Sequence, residues 1–171
     1  MPAKKVLMIV APKNFRDEEL FEPKQVLEDA GISVVIASDK VVRATGMLGG
    51  EIEVDRDLAE VNLNDYQAVI FVGGSGSSIY FTHPQALALV QKASGLGKVV
   101  GAICIAPSIL ANAGLLKGKR VTAWASEKAK LASQGITYTG EPVTVDGQII
   151  TAVGPAAATV FGQAIVEALK K

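Results

Sequence analysis

The chain of 171 residues has few groups suited to metal binding or nucleophilic chemistry, with one cysteine and one histidine. A single cysteine excludes an internal disulfide, and one cysteine with one histidine cannot complete a structural zinc site. The 17 basic residues balance the 17 acidic ones, which gives no electrostatic reason to expect a nucleic acid or an anionic membrane as partner. We therefore expect a cytoplasmic protein.

Long apolar runs are also missing, although 49% of the residues are hydrophobic and the mean hydropathy is +0.33. No run reaches the roughly 18 residues typical of a membrane-spanning helix. The first residues lead directly into an apolar strand pattern, so we expect no signal peptide. We expect a single domain over residues 1–171, long enough to bury a large core.

Short β-branched runs alternate with segments of helical spacing. The predicted strands are Lys5–Ala11, Ser33–Ser38, Gln67–Val72, Lys98–Ile103, Lys119–Trp124, Val143–Val145 and Gln148–Val153. The first predicted helix has a candidate N-cap at Asp17 and ends near Ala30. The other predicted helices are Pro84–Gly95, Ser108–Ala113, Ser126–Ser133 and Pro155–Leu169. Residues 41–54 read as a hairpin excursion. Because parallel strands need crossover connections, this alternation predicts an α/β fold with a mostly parallel sheet and helices on both faces.

Cys104 lies where a predicted buried strand ends and Pro107 opens a helix. Ligands of open α/β sheets collect at the carboxyl ends of the strands. The unpaired N–H groups at a helix start favour thiolate over thiol, which would make Cys104 a nucleophile. A free cysteine is also often an inert core residue, so both interpretations stay open from this residue alone.

A glycine-rich loop, Gly73-Gly74-Ser75-Gly76-Ser77-Ser78, follows the third predicted strand. It lacks the Lys-Ser/Thr ending of a phosphate loop and follows the wrong strand for a dinucleotide loop. It also misses the last glycine of a serine nucleophile elbow. We therefore expect no bound cofactor, and we interpret its N–H groups as donors to an oxyanion beside the cysteine.

Candidate proton carriers are few. His83 precedes Pro84 at a predicted helix start and reads as a helix cap rather than a catalytic base. The acids between Asp17 and Glu22 suit the first turns of a helix. Glu19 differs from the other acids of this helix, because Pro23 cannot donate a hydrogen bond to its carbonyl. The helix also begins at the same sheet edge as Cys104. Burial there would raise the pKa of Glu19 and make it a proton donor or shuttle.

Three segments, AVIFVGGSG, VGAICIAPSILANAGLLKGKRVT and DEELFEP, resemble the family of PfpI-type intracellular proteases and the Parkinson-disease-linked protein deglycase. That family belongs to the class I glutamine amidotransferase-like superfamily, and the resemblance covers essentially the whole chain. It implies a flavodoxin-like three-layer sandwich and a homodimer or larger homo-oligomer. It also implies a reactive cysteine at Cys104, a functional glutamate at Glu19 and an oxyanion donor at Gly74.

The chain departs from that family at two places. Peptidase members have a histidine directly after the cysteine, where this chain has Ile105, which cannot accept or return a proton. Deglycase-like members often have a histidine after the next strand, where this chain reads Thr122-Ala123-Trp124. Cys104 and Glu19 remain, and this pair suffices in principle for small reactive carbonyls.

The leading hypothesis is a stress-protective, cofactor-free glyoxalase or protein deglycase acting on a small reactive carbonyl, such as methylglyoxal, or on a glycated protein. Cys104 would add to the carbonyl and Glu19 would move a proton. Gly74 and Ile105, with Gly73 and Ser75 nearby, would hold the oxyanion. The alternative is a redox-sensing or chaperone-like protein with an oxidisable Cys104. A weaker alternative is an intracellular cysteine peptidase or amidase with a base from another subunit, and the roles of Trp124 and Tyr80 stay open.

Overall fold

The computed structural model describes residues 3–171. Within these residues the strands are β1 (Lys5–Ile9), β2 (Lys13–Phe15), β3 (Ser33–Ser38), β4 (Arg43–Gly46), β5 (Glu51–Glu53), β6 (Arg56–Asp57), β7 (Ala68–Phe71), β8 (Val99–Ile103), β9 (Arg120–Val121), β10 (Thr137–Tyr138), β11 (Val143–Asp146) and β12 (Ile149–Ala152). The α-helices are α1 (Asp17–Asp29), α2 (Pro84–Gly95), α3 (Pro107–Asn112), α4 (Lys128–Ser133) and α5 (Ala158–Leu169). Short 3-10 turns join several of them, including Ser75–Tyr80 after the glycine pair.

A seven-stranded sheet forms the centre, in the order β11-β12-β8-β7-β1-β3-β6. Its pairs are parallel except for the antiparallel pair β11 and β12, which is joined by a turn at Gly147. The predicted mostly parallel sheet is therefore confirmed. The predicted hairpin excursion is present as β4 and β5, which pair antiparallel beside β2 in a separate small sheet.

Side chains of the central strands alternate between two buried layers, as the period of two requires. On β1, Leu7 and Ile9 pack with α2, α3 and α4, whereas Val6 and Met8 pack with α1 and α5. The helices thus cover both faces, and the expected flavodoxin-like three-layer sandwich is confirmed. Among residues 3–171, no helix combines the length and the apolar character needed to cross a membrane.

Two local predictions were wrong. Asp17 is not the N-cap of α1; Arg16 occupies that position, and the Asp17 carboxylate instead accepts hydrogen bonds from the N–H groups of Leu48 and Gly50 (2.9 and 2.7 Å). The predicted strand Lys119–Trp124 contracts to β9 and pairs with β10 outside the central sheet. It ends early because the Trp124 N–H donates to the carbonyl of Cys104 (2.8 Å) instead of extending a ladder.

Helices α1 and α5 pack closely because α5 has no side chain at Gly162. A Cβ atom there would lie 2.9 Å from the Cα of Pro23 and 3.0 Å from the Cβ of Val26. The first of these neighbours is backbone, so it cannot turn aside. This contact fixes α1 against α5 at Pro23, one helical turn after Glu19.

We expect Gly162→Ala to lower the free energy of unfolding by roughly 1 to 3 kcal/mol in urea titrations, because overpacking outweighs the better helix propensity of alanine. The matched control is Gly95→Ala in α2, where a Cβ atom meets nothing within 4 Å. That variant should gain about 0.5 kcal/mol. Equal effects at the two positions would contradict the close packing of α1 and α5.

Candidate active site

Two strand ends and the start of a helix meet at one edge of the central sheet. Cys104 directly follows β8, and Gly73 follows the neighbouring strand β7 after one residue. The N–H of Arg16, the residue before α1, donates to the carbonyl of Gly73 (2.9 Å). The topology therefore brings the cysteine, the glycine loop and the first turn of α1 together, as expected for an open α/β sheet.

Cys104 has a strained backbone, with φ at 67°, in the left-handed region that non-glycine residues rarely adopt. Such a conformation costs on the order of 1 kcal/mol and persists only where neighbours hold it. Here the Cys104 N–H donates to the carbonyl of Ala152 (3.0 Å), and its carbonyl accepts from Trp124. The sharp turn presents the half-buried thiol at the strand end, as a nucleophile elbow does.

Glu19 is fully buried, and within residues 3–171 neither of its carboxyl oxygens has a hydrogen-bond partner of ordinary geometry. Gly73 makes room for it: a Cβ atom at Gly73 would lie 2.3 Å from Glu19 Oε1 and 2.6 Å from Cys104 Cβ. The carboxyl, the glycine and the cysteine are therefore immediate neighbours. Gly73 was predicted to lie near the oxyanion. In the structure its lack of a side chain leaves room for the Glu19 carboxyl, which any larger residue would displace.

Burial raises the pKa of Glu19 to about 8, while the nearby Cys104 thiol, the charge of Arg16 and the Gly73 N–H oppose the rise. A carboxyl group whose pKa lies above neutral pH holds its proton at pH 7 for most of the time. The expected rise in the pKa of Glu19 is therefore confirmed. A protonated carboxyl beside sulfur can donate a hydrogen bond to a thiolate or give its proton to a substrate oxygen.

The expected lowering of the pKa of Cys104 was wrong for the resting site. Burial, and then the negative charge of an ionised Glu19, raise the pKa of this thiol to about 12. The N–H groups of Gly74 and Ile105 act in the opposite direction, since both donate toward the sulfur. When Glu19 holds its proton the repulsion disappears, and these N–H groups remain to stabilise negative charge.

A pocket of about 480 Å³ opens in front of Cys104. It is lined by Arg16, Met47, Gly74, Ser75, Cys104, Ile105, Trp124, Ser126, Glu127 and Pro155. Three of the four predicted binding residues thus border the pocket, and Trp124 lines it as well. Tyr80 is buried elsewhere and donates to the carbonyl of Val10 (2.7 Å).

The pocket residues not predicted from the sequence include the polar residues Arg16, Ser126 and Glu127 and the apolar residue Met47. They come from separate segments that carry no motif, so only the folded arrangement brings them to the pocket. Arg16 is held by Glu18 through two short contacts to one carboxylate oxygen, 2.8 Å from Nη2 and 3.0 Å from Nε. The guanidinium of Arg16 therefore lies at the pocket wall with its charge balanced by Glu18.

His83 is a helix cap, as predicted. Its Nδ1 accepts from the N–H of Ala86 (3.3 Å), and Pro84 is the first residue of α2. Its Nε2 lies 3.2 Å from Asp39 Oδ2. Because both ring nitrogens are engaged and the ring does not line the pocket, His83 has no direct access to a substrate at Cys104.

Glu19 should make the protein less stable as the pH rises. Its pKa is higher in the folded chain (about 8) than in the unfolded chain (near 4.5), so the folded state binds the extra proton between these values. The contribution of Glu19 to the free energy of unfolding is therefore largest below pH 4.5. It decreases as the pH rises to about 8, by at most roughly 1.4 kcal/mol per pH unit. Urea titrations at pH 5, 6.5 and 8 measure this loss.

Glu19→Gln should flatten that pH dependence, because an amide does not titrate. Glu60→Gln is the control, since Glu60 is exposed and forms no ion pair within residues 3–171. A pH dependence that Glu19→Gln leaves intact would contradict the buried protonated acid.

Comparison with known proteins finds relatives over nearly the whole chain. The model of the DJ-1/PfpI family matches residues 4–168. An uncharacterized protein of Methanocaldococcus jannaschii is 43% identical over 98% of this chain and 83% of its own length. A protein named deglycase in Pyrococcus horikoshii is 31% identical over 97% of this chain and 99% of its own.

Among solved structures, a ThiJ/PfpI domain protein from Brachyspira murdochii superposes with a TM-score of 0.96 at 30% identity, covering 99% of this chain and 98% of that one. Sequence and structure therefore agree over almost the whole length. The chain belongs to the DJ-1/PfpI family.

Proposed function

We propose that this protein is a cofactor-free, cysteine-dependent enzyme for small reactive carbonyls, a glyoxalase that turns methylglyoxal into lactate or a deglycase that acts on the same carbonyl attached to protein. One observation carries the proposal: a fully buried carboxyl, with no hydrogen-bond partner of ordinary geometry within residues 3–171, lies beside the thiol of Cys104. Such a group costs stability, and an acid–base role beside a nucleophile accounts for that cost.

In the reacting form of the site, Cys104 is a thiolate and Glu19 is a carboxylic acid, so the two groups carry one proton between them. The sulfur adds to the aldehyde carbon of methylglyoxal, which forms a C–S bond and moves the carbonyl electron pair onto oxygen. The N–H groups of Gly74 and Ile105 stabilise this oxyanion. Glu19 then protonates it, which gives a neutral hemithioacetal and leaves a carboxylate.

Glu19 next acts as a base. Its carboxylate removes the proton from the carbon bonded to sulfur, and the electron pair passes into an enediolate. After a proton moves between the two oxygens, Glu19 returns its proton to the adjacent carbon, which gives a lactoyl thioester. Water cleaves the C–S bond of the thioester, restoring the thiol and releasing lactate with one proton to solvent.

This route needs no histidine, because no amine leaving group has to be protonated in the glyoxalase reaction. Amide hydrolysis is different, since the departing nitrogen needs a proton donor. Ile105 offers none, and both nitrogens of His83 are engaged at the start of α2. The geometry of this chain therefore supports carbonyl chemistry better than peptidase chemistry.

Redox sensing is the second candidate, and the N–H groups facing the sulfur favour it. With hydrogen peroxide as oxidant, Cys104 would become a sulfinate whose oxygens accept from Gly74, Ile105 and protonated Glu19. Burial of the sulfur and the raised pKa of Cys104 slow that oxidation, because the thiolate is the reactive form. We therefore rank the carbonyl reaction first.

The test is direct detection of lactate formed from methylglyoxal, in phosphate buffer because amines consume the substrate. Wild-type protein should form lactate, and Cys104→Ser should form none. Glu19→Gln should lose about 100-fold or more in rate, since it removes the acid–base group but keeps the shape. Glu22→Gln is the control on the same helix, where the carboxylate accepts from Thr159 Oγ1 and not from the site.

Absence of lactate from wild-type protein, with a reduced thiol verified by mass spectrometry, would overturn the proposed activity. Full activity in Glu19→Gln would retain a cysteine enzyme and overturn the assigned proton shuttle. Peroxide treatment of the same variants separates the redox role, because oxidation at Cys104 needs no carbon acid to be deprotonated.

A further inference from the structure

Glu127 borders the pocket, and the proposed reaction does not use it. Its Oε1 accepts from Ser108 Oγ (2.6 Å), and its Oε2 accepts from Ser126 Oγ (2.7 Å). Ser108 is fully buried and is the second residue of α3, the helix that begins three residues after Cys104. The carboxylate of Glu127 is therefore fixed to the helix that directly follows the nucleophile.

The backbone closes this contact into a ring of hydrogen bonds around the strained cysteine. The N–H of Glu127 donates to the carbonyl of Trp124 (2.9 Å), and the N–H of Trp124 donates to the carbonyl of Cys104 (2.8 Å). On the other side, the N–H of Ser108 donates to the carbonyl of Ile105 (3.1 Å), the residue bonded to Cys104. The contact between Glu127 and Ser108 thus joins the turn at Trp124 to the start of α3.

This ring fixes the peptide group between Cys104 and Ile105. A trans peptide is planar, and its C=O and N–H point in opposite directions. Because Trp124 holds the carbonyl of Cys104 on one side, the N–H of Ile105 points to the other side, where it donates toward the sulfur. Rotation of Cys104 out of its left-handed conformation would turn this N–H away from the sulfur.

The turn that holds the carbonyl of Cys104 has little support from packing. Residues 124–126 are exposed, and the indole of Trp124 rests on Gly154, where a Cβ atom would lie 2.7 Å from the ring. Exposed segments with few buried contacts open locally more easily than the core. The hydrogen bond from buried Ser108 to Glu127 therefore ties a weakly packed turn to a rigid helix.

We propose that Glu127 is a positioning residue for the nucleophile. By holding the turn at Trp124 to Ser108, it keeps the N–H of Ile105 directed at the cysteine sulfur. The inference rests on the proposed function only in taking Cys104 as the nucleophile. The role needs hydrogen-bonding capacity and not negative charge, so glutamine can fill it: its oxygen accepts from one serine and its amide donates to the other.

The rate at which iodoacetamide alkylates Cys104 at pH 8, followed by mass spectrometry, measures this role without a carbonyl substrate. Glu127→Ala should react about tenfold more slowly than wild type, as expected when a thiolate loses one N–H donor. Glu127→Gln should stay within about twofold of wild type, because it keeps both serine contacts. Glu141→Ala is the control, an exposed glutamate that does not line the pocket, and it should keep the wild-type rate.

Trp124 is the only tryptophan of the chain, so its fluorescence reports on the same turn in each variant. Acrylamide should quench Glu127→Ala more strongly than wild type or Glu127→Gln, because the turn is released from α3. If Glu127→Ala does not fold, Ser108→Ala replaces it. That variant removes one of the two hydroxyl contacts and should be alkylated about threefold more slowly than wild type.

Alkylation of Glu127→Ala at the wild-type rate, or of Ser108→Ala where it replaces that variant, would overturn the positioning role. Alkylation of Glu127→Gln as slow as that of Glu127→Ala would also overturn it, because the effect would then come from charge. Failure of the proposed function shows instead as absence of lactate from wild-type protein, which these alkylation rates do not involve.

Discussion

A carboxyl group buried away from solvent is stable inside a protein only when it keeps its proton or is fully paired, and the arrangement around Cys104 depends on this constraint at Glu19. The buried acid is uncharged at neutral pH, so it does not repel a thiolate and can donate to it. Burial already raises the pKa of the Cys104 thiol, and an ionised Glu19 would raise it further. We therefore propose that the proton on Glu19 governs the reactivity of this cysteine.

The fold concentrates unfavourable local features at this one edge of the sheet. Cys104 has a left-handed backbone, Glu19 is buried with no hydrogen-bond partner of ordinary geometry within residues 3–171, and Gly73 has no room for a side chain. Each lowers stability, and each is held in place by the parallel sheet and by the close packing of α1 on α5. Strain of this kind is typical of functional sites, where the surrounding structure fixes an arrangement that local preferences disfavour.

The position of the proposed catalytic pair was largely predictable from sequence, because strand ends of a parallel sheet meet at a known edge. That rule placed Cys104 and the glycine loop together, and the helix start beside them singled out Glu19. The pocket was not predictable, since Arg16, Met47 and Glu127 come from separate segments without a motif. The pKa of Cys104 was predicted in the wrong direction because helix position was visible in the sequence, whereas burial and the approach of Glu19 were not.

The central claim is that Glu19 holds a proton at neutral pH, and infrared spectroscopy measures that directly. The carbonyl-stretch band of a protonated carboxyl should be present at pH 7 in wild-type protein and disappear with a midpoint near pH 8, in line with the raised pKa of Glu19. Glu19→Gln should lack the band at every pH. A wild-type spectrum without it at pH 7 would show an ionised Glu19 and contradict the account.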